Sequence, residues 1–166
     1  MRIRDLEDKR VALLGMGREG QAVWRALRKR FPDKPLTIFT ESEIEEEFAS
    51  ELVPDRDHYS LGRFDGKELE RFDVLVRSAG ISPYRNALRH LKNQGVQFTT
   101  ASNLWFAQNP QARTICISGT MGKSTSAALT AHMLSWAGFK TCLAGNIGYP
   151  MLACEDTDFD LSLIHI

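Results

Sequence analysis

The sequence has no apolar run of the roughly 20 residues that a membrane-spanning helix requires. It has no excess charge of either sign, because 21 Lys and Arg residues balance 21 Asp and Glu residues. The first ten residues also lack the apolar region of a secretory signal peptide. These absences predict a cytoplasmic protein that binds neither nucleic acid nor membrane, so that any phosphate recognition depends on local motifs.

Cysteine is also scarce. The chain has three cysteines, Cys116, Cys142 and Cys154, which is an odd number and includes no Cys-x-x-Cys spacing. Their neighbours are largely apolar. Because free cysteine packs as a small hydrophobic residue, we expect buried thiols in a reducing compartment.

Short apolar segments alternate with segments of helical period, which is typical of a parallel sheet with crossover helices and predicts an α/β fold. We expect strands at residues 10–14, 36–40, 73–77, 96–99, 114–118 and 141–144, and helices at 19–30, 84–93, 102–108 and 123–137. Ser102 is expected to cap the helix at 102–108. The acidic run at 41–47 is expected to be a solvated helix face.

Residues 108–113 are polar turn formers with a proline, and they predict a boundary between a first domain at 1–109 and a second beginning at 110. The run at 159–166 has the pattern of a strand, although the strands after residue 144 would lack neighbours. Residues 161–166 also match the translation of a transposon end used in sequencing libraries. We therefore expect a truncated second domain at 110–160 and an artificial tail at 161–166.

The motif Gly15-Met-Gly-Arg-Glu-Gly20 follows a predicted strand and opens a predicted helix. At such a turn, glycines allow a phosphate to approach the helix N-terminus closely. Glu41, near the end of the second strand, stands where a dinucleotide site has its ribose-binding acid. A glycine turn that merely packs helix on sheet is the alternative.

A second motif, Gly119-Thr-Met-Gly-Lys-Ser-Thr125, also lies between a predicted strand and helix. Its backbone N–H groups and Lys123 suit nucleotide phosphates, and the hydroxyl of Ser124, or less favourably Thr125, suits Mg²⁺. Ile117 stands where the usual Gly-x-x-x-x-Gly-Lys-Ser/Thr loop has its first glycine. The shorter spacing makes a general NTPase a poorer match.

With Ser78-Ala-Gly-Ile-Ser82 and Gly145-Asn-Ile-Gly148, these motifs make four segments that resemble the Mur ligases in order and spacing. Within that family, the resemblance is to members that join glutamate to UDP-N-acetylmuramoyl-L-alanine. It implies a Rossmann-like domain that binds the UDP part of the substrate, followed by the truncated start of a P-loop ATPase domain. It also implies an ATP- and Mg²⁺-dependent ligase of peptidoglycan precursor synthesis that works through an acyl phosphate and is monomeric when complete.

The resemblance also implies roles for individual residues. The positions expected at the UDP substrate are Gly17, Arg18, Glu19, Thr40, Glu41, Ser78, Gly80 and Asn146. The positions expected at ATP are Gly119, Thr120, Met121, Gly122, Lys123, Ser124 and Thr125, with Lys123 also catalytic. Met121 replaces a polar residue that is usual in the family, and Ala79 replaces a proline.

Several alternatives remain open from the sequence. The glutamate enantiomer is undecided, because the residues that hold glutamate belong mostly to a later domain of the family. Because the chain lacks that later domain, we expect that the chain by itself is inactive. Other functions that fit parts of the sequence are a Mur ligase that adds alanine or a diamino acid, an NAD-dependent oxidoreductase that uses the first glycine motif, and a nucleotide-binding module without catalysis.

Overall fold

The computed structural model describes residues 1–147, 149–154 and 160–165. Strands and helices alternate along the chain, which confirms the predicted α/β class. The strands are β1 Val11–Leu14, β2 Leu36–Thr40, β3 Asp57–Leu61, β4 Val74–Arg77, β5 Gln97–Thr99, β6 Thr114–Ile117, β7 Thr141–Gly145 and β8 Leu161–His165. The helices are α1 Arg18–Arg30, α2 Glu46–Ala49, α3 Gly66–Leu69, α4 Asn86–Asn93, α5 Ala101–Gln108 and α6 Lys123–Trp136, with 3₁₀ helices at Ile3–Leu6 and Met151–Cys154.

The first sheet contains five parallel strands in the order β3-β2-β1-β4-β5. Its central strand is β1, where Leu14 lies beside Phe39 of β2 on one side and Arg77 of β4 on the other. The order of the chain reverses at this strand. Ligands of open parallel sheets bind beyond the carboxyl ends of the strands at such a reversal. The segments that follow β1, β2 and β4 are therefore the place to look for a site.

Both faces of the first sheet are covered. Val11 and Leu13 of β1 belong to a buried cluster with residues of α1 and α5, whereas Ala12 and Leu14 belong to a second cluster with residues of α3 and α4. Successive side chains of a strand point to opposite faces, so β1 has apolar residues at every position. This arrangement holds β1, and the turn that follows it, between two packed layers.

Strand β3 was not predicted, because Asp57 is buried but the four residues after it are exposed. The carboxylate of Asp57 accepts hydrogen bonds from the indole N–H of Trp24 at 3.0 Å, from Arg28 at 2.6 Å and from the backbone N–H of Val53 at 2.8 Å. Arg28 and Asp57 form a buried ion pair. The start of β3 is thus fixed by contacts with residues of α1 that are about thirty positions away in sequence.

The second sheet contains three parallel strands in the order β6-β8-β7. Because β8 pairs with a neighbour on each side, the prediction that the strands after residue 144 lack neighbours is wrong. Helix α6 packs on this sheet and buries Ala127. Leu129, Met133 and Trp136 of α6 are exposed.

The second 3₁₀ helix packs against α1 and α5. Its residues Met151 and Leu152 belong to the same buried cluster as Trp24 and Trp105 of those helices. The two sheets divide the chain between β5 and β6, and the assignment of domains at 1–109 and 110–160 stays a prediction. Among the described residues, no helix has the length and apolar character needed to cross a bilayer.

Two local predictions are corrected. Helix α5 begins at Ala101, and its cap is Thr100 rather than Ser102, because the Thr100 hydroxyl accepts a hydrogen bond from the backbone N–H of Asn103. The acidic run is mostly irregular, since helix α2 begins only at Glu46. Propensity alone does not locate either boundary, which depends on where the chain leaves the sheet.

The cysteines also differ from expectation. Cys116 in β6 is exposed rather than buried. Cys142 and Cys154 are buried, and their sulfur atoms lie next to each other because the second 3₁₀ helix packs beside β7. Burial was therefore predicted correctly for two of the three cysteines.

Candidate functional site

The turn after β1 is built around Gly15, whose φ of 86° is in the left-handed region. Its backbone N–H donates to the carbonyl of Phe39 at 2.7 Å, and its carbonyl accepts from the hydroxyl of Ser78 at 3.0 Å. The turn is therefore bound to the ends of both neighbouring strands. A side chain at this position would also lie 3.1 Å from atoms of Ser78 and Ile81.

The last glycine of the same motif, Gly20, lets α1 approach the turn closely. A Cβ atom at Gly20 would lie 2.1 Å from the carbonyl oxygen of Gly15, which is far inside van der Waals contact. Gly17, the N-cap of α1, is exposed and has no atom within 4 Å of the position of a Cβ. The first glycine motif thus combines a tightly packed end at Gly20 with an open end at Gly17, where the helix N–H groups point to solvent.

The open end of the first motif meets the end of β7. The guanidinium of Arg18 donates a hydrogen bond to the backbone carbonyl of Asn146 at 3.1 Å. Asn146 itself is exposed and follows Gly145, whose φ is 108°. Two of the residues that the sequence assigned to one UDP substrate, 128 positions apart, are therefore in direct contact.

The segment after β4 lies beside the turn after β1. The space between these two segments, at the carboxyl ends of the strands, is called the crevice below. The backbone N–H of Ser78 donates to the carbonyl of Leu14 at 2.9 Å, and its hydroxyl reaches Gly15 as described above. Gly80 is exposed and open on the side where a Cβ would lie. Glu19, Gly20 and Ser78 all line one small cavity at this edge of the sheet. Of the predicted site residues, Glu19 and Ser78 line this cavity, whereas Gly17, Arg18 and Gly80 are not among its lining residues.

The end of β2 provides Thr40 and Glu41. Thr40 is buried, and its hydroxyl donates to the carbonyl of Ser42 at 3.0 Å, so this side chain is occupied by its own turn. Glu41 is exposed and forms a bidentate pair with Arg85 at 2.6 and 2.9 Å. Hydrogen bonding from Arg85 lowers the pKa of Glu41, and the same contact raises the pKa of Arg85. Sequence reasoning did not assign Arg85 to the site.

The second glycine motif has a different character. Gly119 and Gly122 have φ values of 158° and 74°, and Gly122 is the N-cap of α6 in the left-handed conformation. The ammonium of Lys123 folds back to the carbonyl of Gly119 at 2.6 Å. Met121 is 90% exposed. The loop is therefore exposed to solvent, and the side chain of Lys123 is hydrogen-bonded to its backbone.

The first turn of α6 carries groups that suit a nucleoside triphosphate and its metal ion. An α-helix leaves its first N–H groups without intrahelical partners, and these groups together with the helix dipole attract phosphate. Ser124 and Thr125 are exposed there and carry hydroxyl groups, while Thr120 is exposed on the loop. Among the described residues there is no group of three or more His, Cys, Asp or Glu side chains that could hold a metal by themselves. The hydroxyls of Ser124 and Thr125 are the groups of this turn that suit Mg²⁺, which takes oxygen ligands.

Comparison with known proteins identifies relatives of this chain. The chain is 44% identical over 163 residues to the UDP-N-acetylmuramoyl-L-alanine--L-glutamate ligase of Xanthomonas axonopodis pv. citri (strain 306), and the match covers 92% of the chain. It is 41% identical over 160 residues to the protein of the same name from Xylella fastidiosa (strain Temecula1 / ATCC 700964), again over 92% of the chain. The chain belongs to the Mur ligase family. Each match covers 33% of the relative, so the chain spans about a third of the length of these Mur ligases.

The fold agrees with that of a solved Mur ligase. The UDP-N-acetylmuramate:L-alanyl-gamma-D-glutamyl-meso-diaminopimelate ligase from Neisseria meningitides matches with a TM-score of 0.51 and 18% identity, over 95% of this chain and 52% of that protein. At this identity the likeness concerns the fold alone. No protein-family model matches the chain.

Proposed function

We propose that this chain provides the UDP-sugar-binding domain and the phosphate-binding loop of an ATP-dependent ligase that joins glutamate to UDP-N-acetylmuramoyl-L-alanine in peptidoglycan precursor synthesis. The observation that carries the proposal is the contact of Arg18 with Asn146, which connects the first glycine turn to the carboxyl end of β7, in the same parallel sheet as the strand β6 that leads into the second glycine loop. A substrate nucleotide at the first turn and ATP at the second would then lie on neighbouring parts of one surface. A ligase that activates a nucleotide-linked carboxylate with ATP needs such an arrangement.

The first turn supports binding of the UDP part. The N-terminus of α1 opens at Gly17 and offers N–H groups and a positive dipole end to a diphosphate. Arg18 lies at this end of the helix, and Ser78 and Gly80 form the opposite side. The role of Glu19 is structural in this proposal, because it lines the cavity beneath the turn.

The second loop supports phosphoryl transfer from ATP to the substrate carboxylate, with Lys123 as the residue that touches the transferred group. When ATP binds, the ammonium of Lys123 would leave the carbonyl of Gly119 and neutralise phosphate charge. Mg²⁺ supplies further neutralisation when bound, and Ser124, with Thr125 as the second choice, would be its ligand from this chain. The remaining ATP contacts would come from the backbone of Gly119, Thr120, Met121 and Gly122.

The names of the relatives support L-glutamate as the amino acid that is added, since both relatives are L-glutamate ligases. The open question of the enantiomer is therefore answered in favour of L-glutamate in this proposal. The substrates, a UDP-linked sugar and ATP, place the enzyme in the cytoplasm.

Calorimetric titration of the 166-residue chain with UDP, Mg²⁺-ATP and NAD tests the proposal. We expect binding of UDP and of ATP, and we expect Lys123→Met to weaken ATP about tenfold or more while UDP binding is unchanged. Lys92→Met, which removes an exposed lysine of α4, is the matched control and should alter neither affinity. Binding of NAD without binding of UDP would instead support the oxidoreductase, and loss of ATP binding in the control would refute the role of the loop.

A further inference from the structure

The ion pair between Glu41 and Arg85 connects the segment after β2 to the segment after β4, across the carboxyl end of β1. Arg85 Nη1 donates to Oε1 of Glu41 at 2.6 Å, and Arg85 Nη2 donates to Oε2 at 2.9 Å. The two side chains remain 39% and 36% exposed. Exposed pairs contribute little to folding stability, with typical values below about 1 kcal/mol. The pair is therefore poorly explained as a device for holding the domain folded.

Arg85 is fixed by a second contact. Its guanidinium lies over the ring of Phe64, 5.4 Å from the ring centroid. Phe64 is buried and packs edge to face on Phe39 of β2, with centroids 6.4 Å apart. The carbonyl of Phe39 in turn accepts the N–H of Gly15. Arg85 thus rests on the same packed layer that positions the first glycine turn.

The segment between Ser78 and Arg85 is fixed at both ends. Ser78 is bound to the carbonyl of Gly15 at one end, and Arg85 is bound to Glu41 at the other. Between these points the chain exposes Gly80 and Tyr84, the latter to 79%. An exposed segment of this kind loses conformational freedom when both of its ends are fixed.

We propose that Glu41 and Arg85 are positioning residues, which hold segment 78–85 as the outer wall of the UDP crevice before the nucleotide arrives. This inference rests on the proposed function, because it concerns the same crevice. Glu41 then acts through Arg85, and not by touching the UDP substrate as the family resemblance implied. Pre-ordering a wall lowers the entropy that the ligand must overcome, so the pair contributes to affinity although it contributes little to folding.

A second ion pair, at the amino ends of the strands of the same sheet, serves as a matched control. Arg10, before β1, forms a bidentate pair with Asp73, before β4, at 3.1 and 2.8 Å. The chemistry resembles that of the first pair and the carboxylate is similarly exposed, at 35%, although Arg10 is more exposed than Arg85, at 66%. Because it lies beyond the amino ends of the strands, the control pair is remote from the crevice.

The experiment measures UDP affinity by calorimetry, with unfolding midpoints for every variant. Glu41→Gln and Arg85→Gln should each weaken UDP about fivefold. Arg10→Gln should change the UDP dissociation constant by less than about twofold. The charge-swapped double variant, Glu41→Arg with Arg85→Glu, should recover most of the affinity, which loss of fold would not produce.

Three results would contradict the inference in different ways. Unchanged UDP affinity in both single variants shows that the pair does not position the wall. Failure of the folded double variant to recover affinity shows that one residue touches the nucleotide directly, so that the pair is not a positioning device. Absence of UDP binding by the unsubstituted chain refutes the proposed function itself, and this result precedes any variant.

Discussion

The two glycine turns of this chain follow the same plan, since each leaves a parallel strand and opens a helix, yet their glycines are needed for different reasons. At the first turn a Cβ on Gly20 would lie 2.1 Å from a backbone oxygen. At the second turn a Cβ on Gly122 would meet nothing within 4 Å, but the backbone has a φ of 74°. Packing therefore requires Gly20 and backbone conformation requires Gly122, while Gly15 at the first turn is subject to both constraints. The spacing of glycines in a sequence therefore does not reveal whether close packing or backbone conformation requires each glycine.

The largest effect is expected for Gly20→Ala. The new methyl group would force α1 away from the turn after β1, and overpacking against backbone should destabilise the fold by about 3 kcal/mol. Urea unfolding followed by circular dichroism measures the change. We expect the chain to fold with α1 shifted. UDP binding should then also be lost, because the turn and the helix N-terminus would no longer be aligned.

Gly17→Ala is the matched control for this prediction, since Gly17 belongs to the same motif and has open space around it at a φ of −70°. Because alanine is a poorer N-cap than glycine, its unfolding free energy should still fall by about 1 kcal/mol, well short of the loss at Gly20. Equal destabilisation by the two substitutions would show that the first turn is not dictated by packing at Gly20.

A smaller effect is expected for Gly122→Ala at the second turn. The methyl group has room, but an L side chain in the left-handed region costs about 1 kcal/mol. Gly80→Ala is the control, because Gly80 also has open space and its φ lies outside the left-handed region. Hydrogen exchange of the first turn of α6 should accelerate in Gly122→Ala and stay unchanged in Gly80→Ala. Unchanged exchange in both would remove the distinction between the two turns.

The strands of the first sheet differ in how well the sequence predicted them. β2 was predicted with its observed bounds, because all five of its residues are buried in an apolar, β-branched run. β3 was missed, because its position depends on the hydrogen bonds of Asp57 to Trp24 and Arg28, which no local pattern reveals. Local sequence therefore determines the elements whose burial is continuous, while buried polar contacts between distant residues determine the others.

The candidate site shows the same limit. Both glycine motifs were located from their spacing, because a strand, a glycine turn and a helix are adjacent in the chain. The contact of Arg18 with Asn146 and the pair of Glu41 with Arg85 connect residues 128 and 44 positions apart. The pair of Glu41 with Arg85 depends on the order of strands in the first sheet, and the contact of Arg18 with Asn146 depends on how the end of β7, in the second sheet, meets α1. The sequence alone supplied neither.

The smallest expected effect concerns Asp73 at the far edge of the first sheet, and it tests whether charge or packing stabilises the layer beneath the first turn. Hydrogen bonds from Arg10 lower the pKa of Asp73 from 3.8 to about 2. A carboxylate with a depressed pKa stabilises the fold above its unfolded pKa, and this contribution is lost as the pH falls from about 4 to about 2. Since the pair is exposed and screened by water, Asp73→Asn should reduce the unfolding free energy at pH 7 by less than about 1 kcal/mol. The difference from the unsubstituted chain should disappear near pH 2, as measured by urea unfolding at pH 7, 4 and 2. A loss at pH 7 as large as that of Gly20→Ala would mean that exposed charge, and not close packing, holds the layer that carries the first turn.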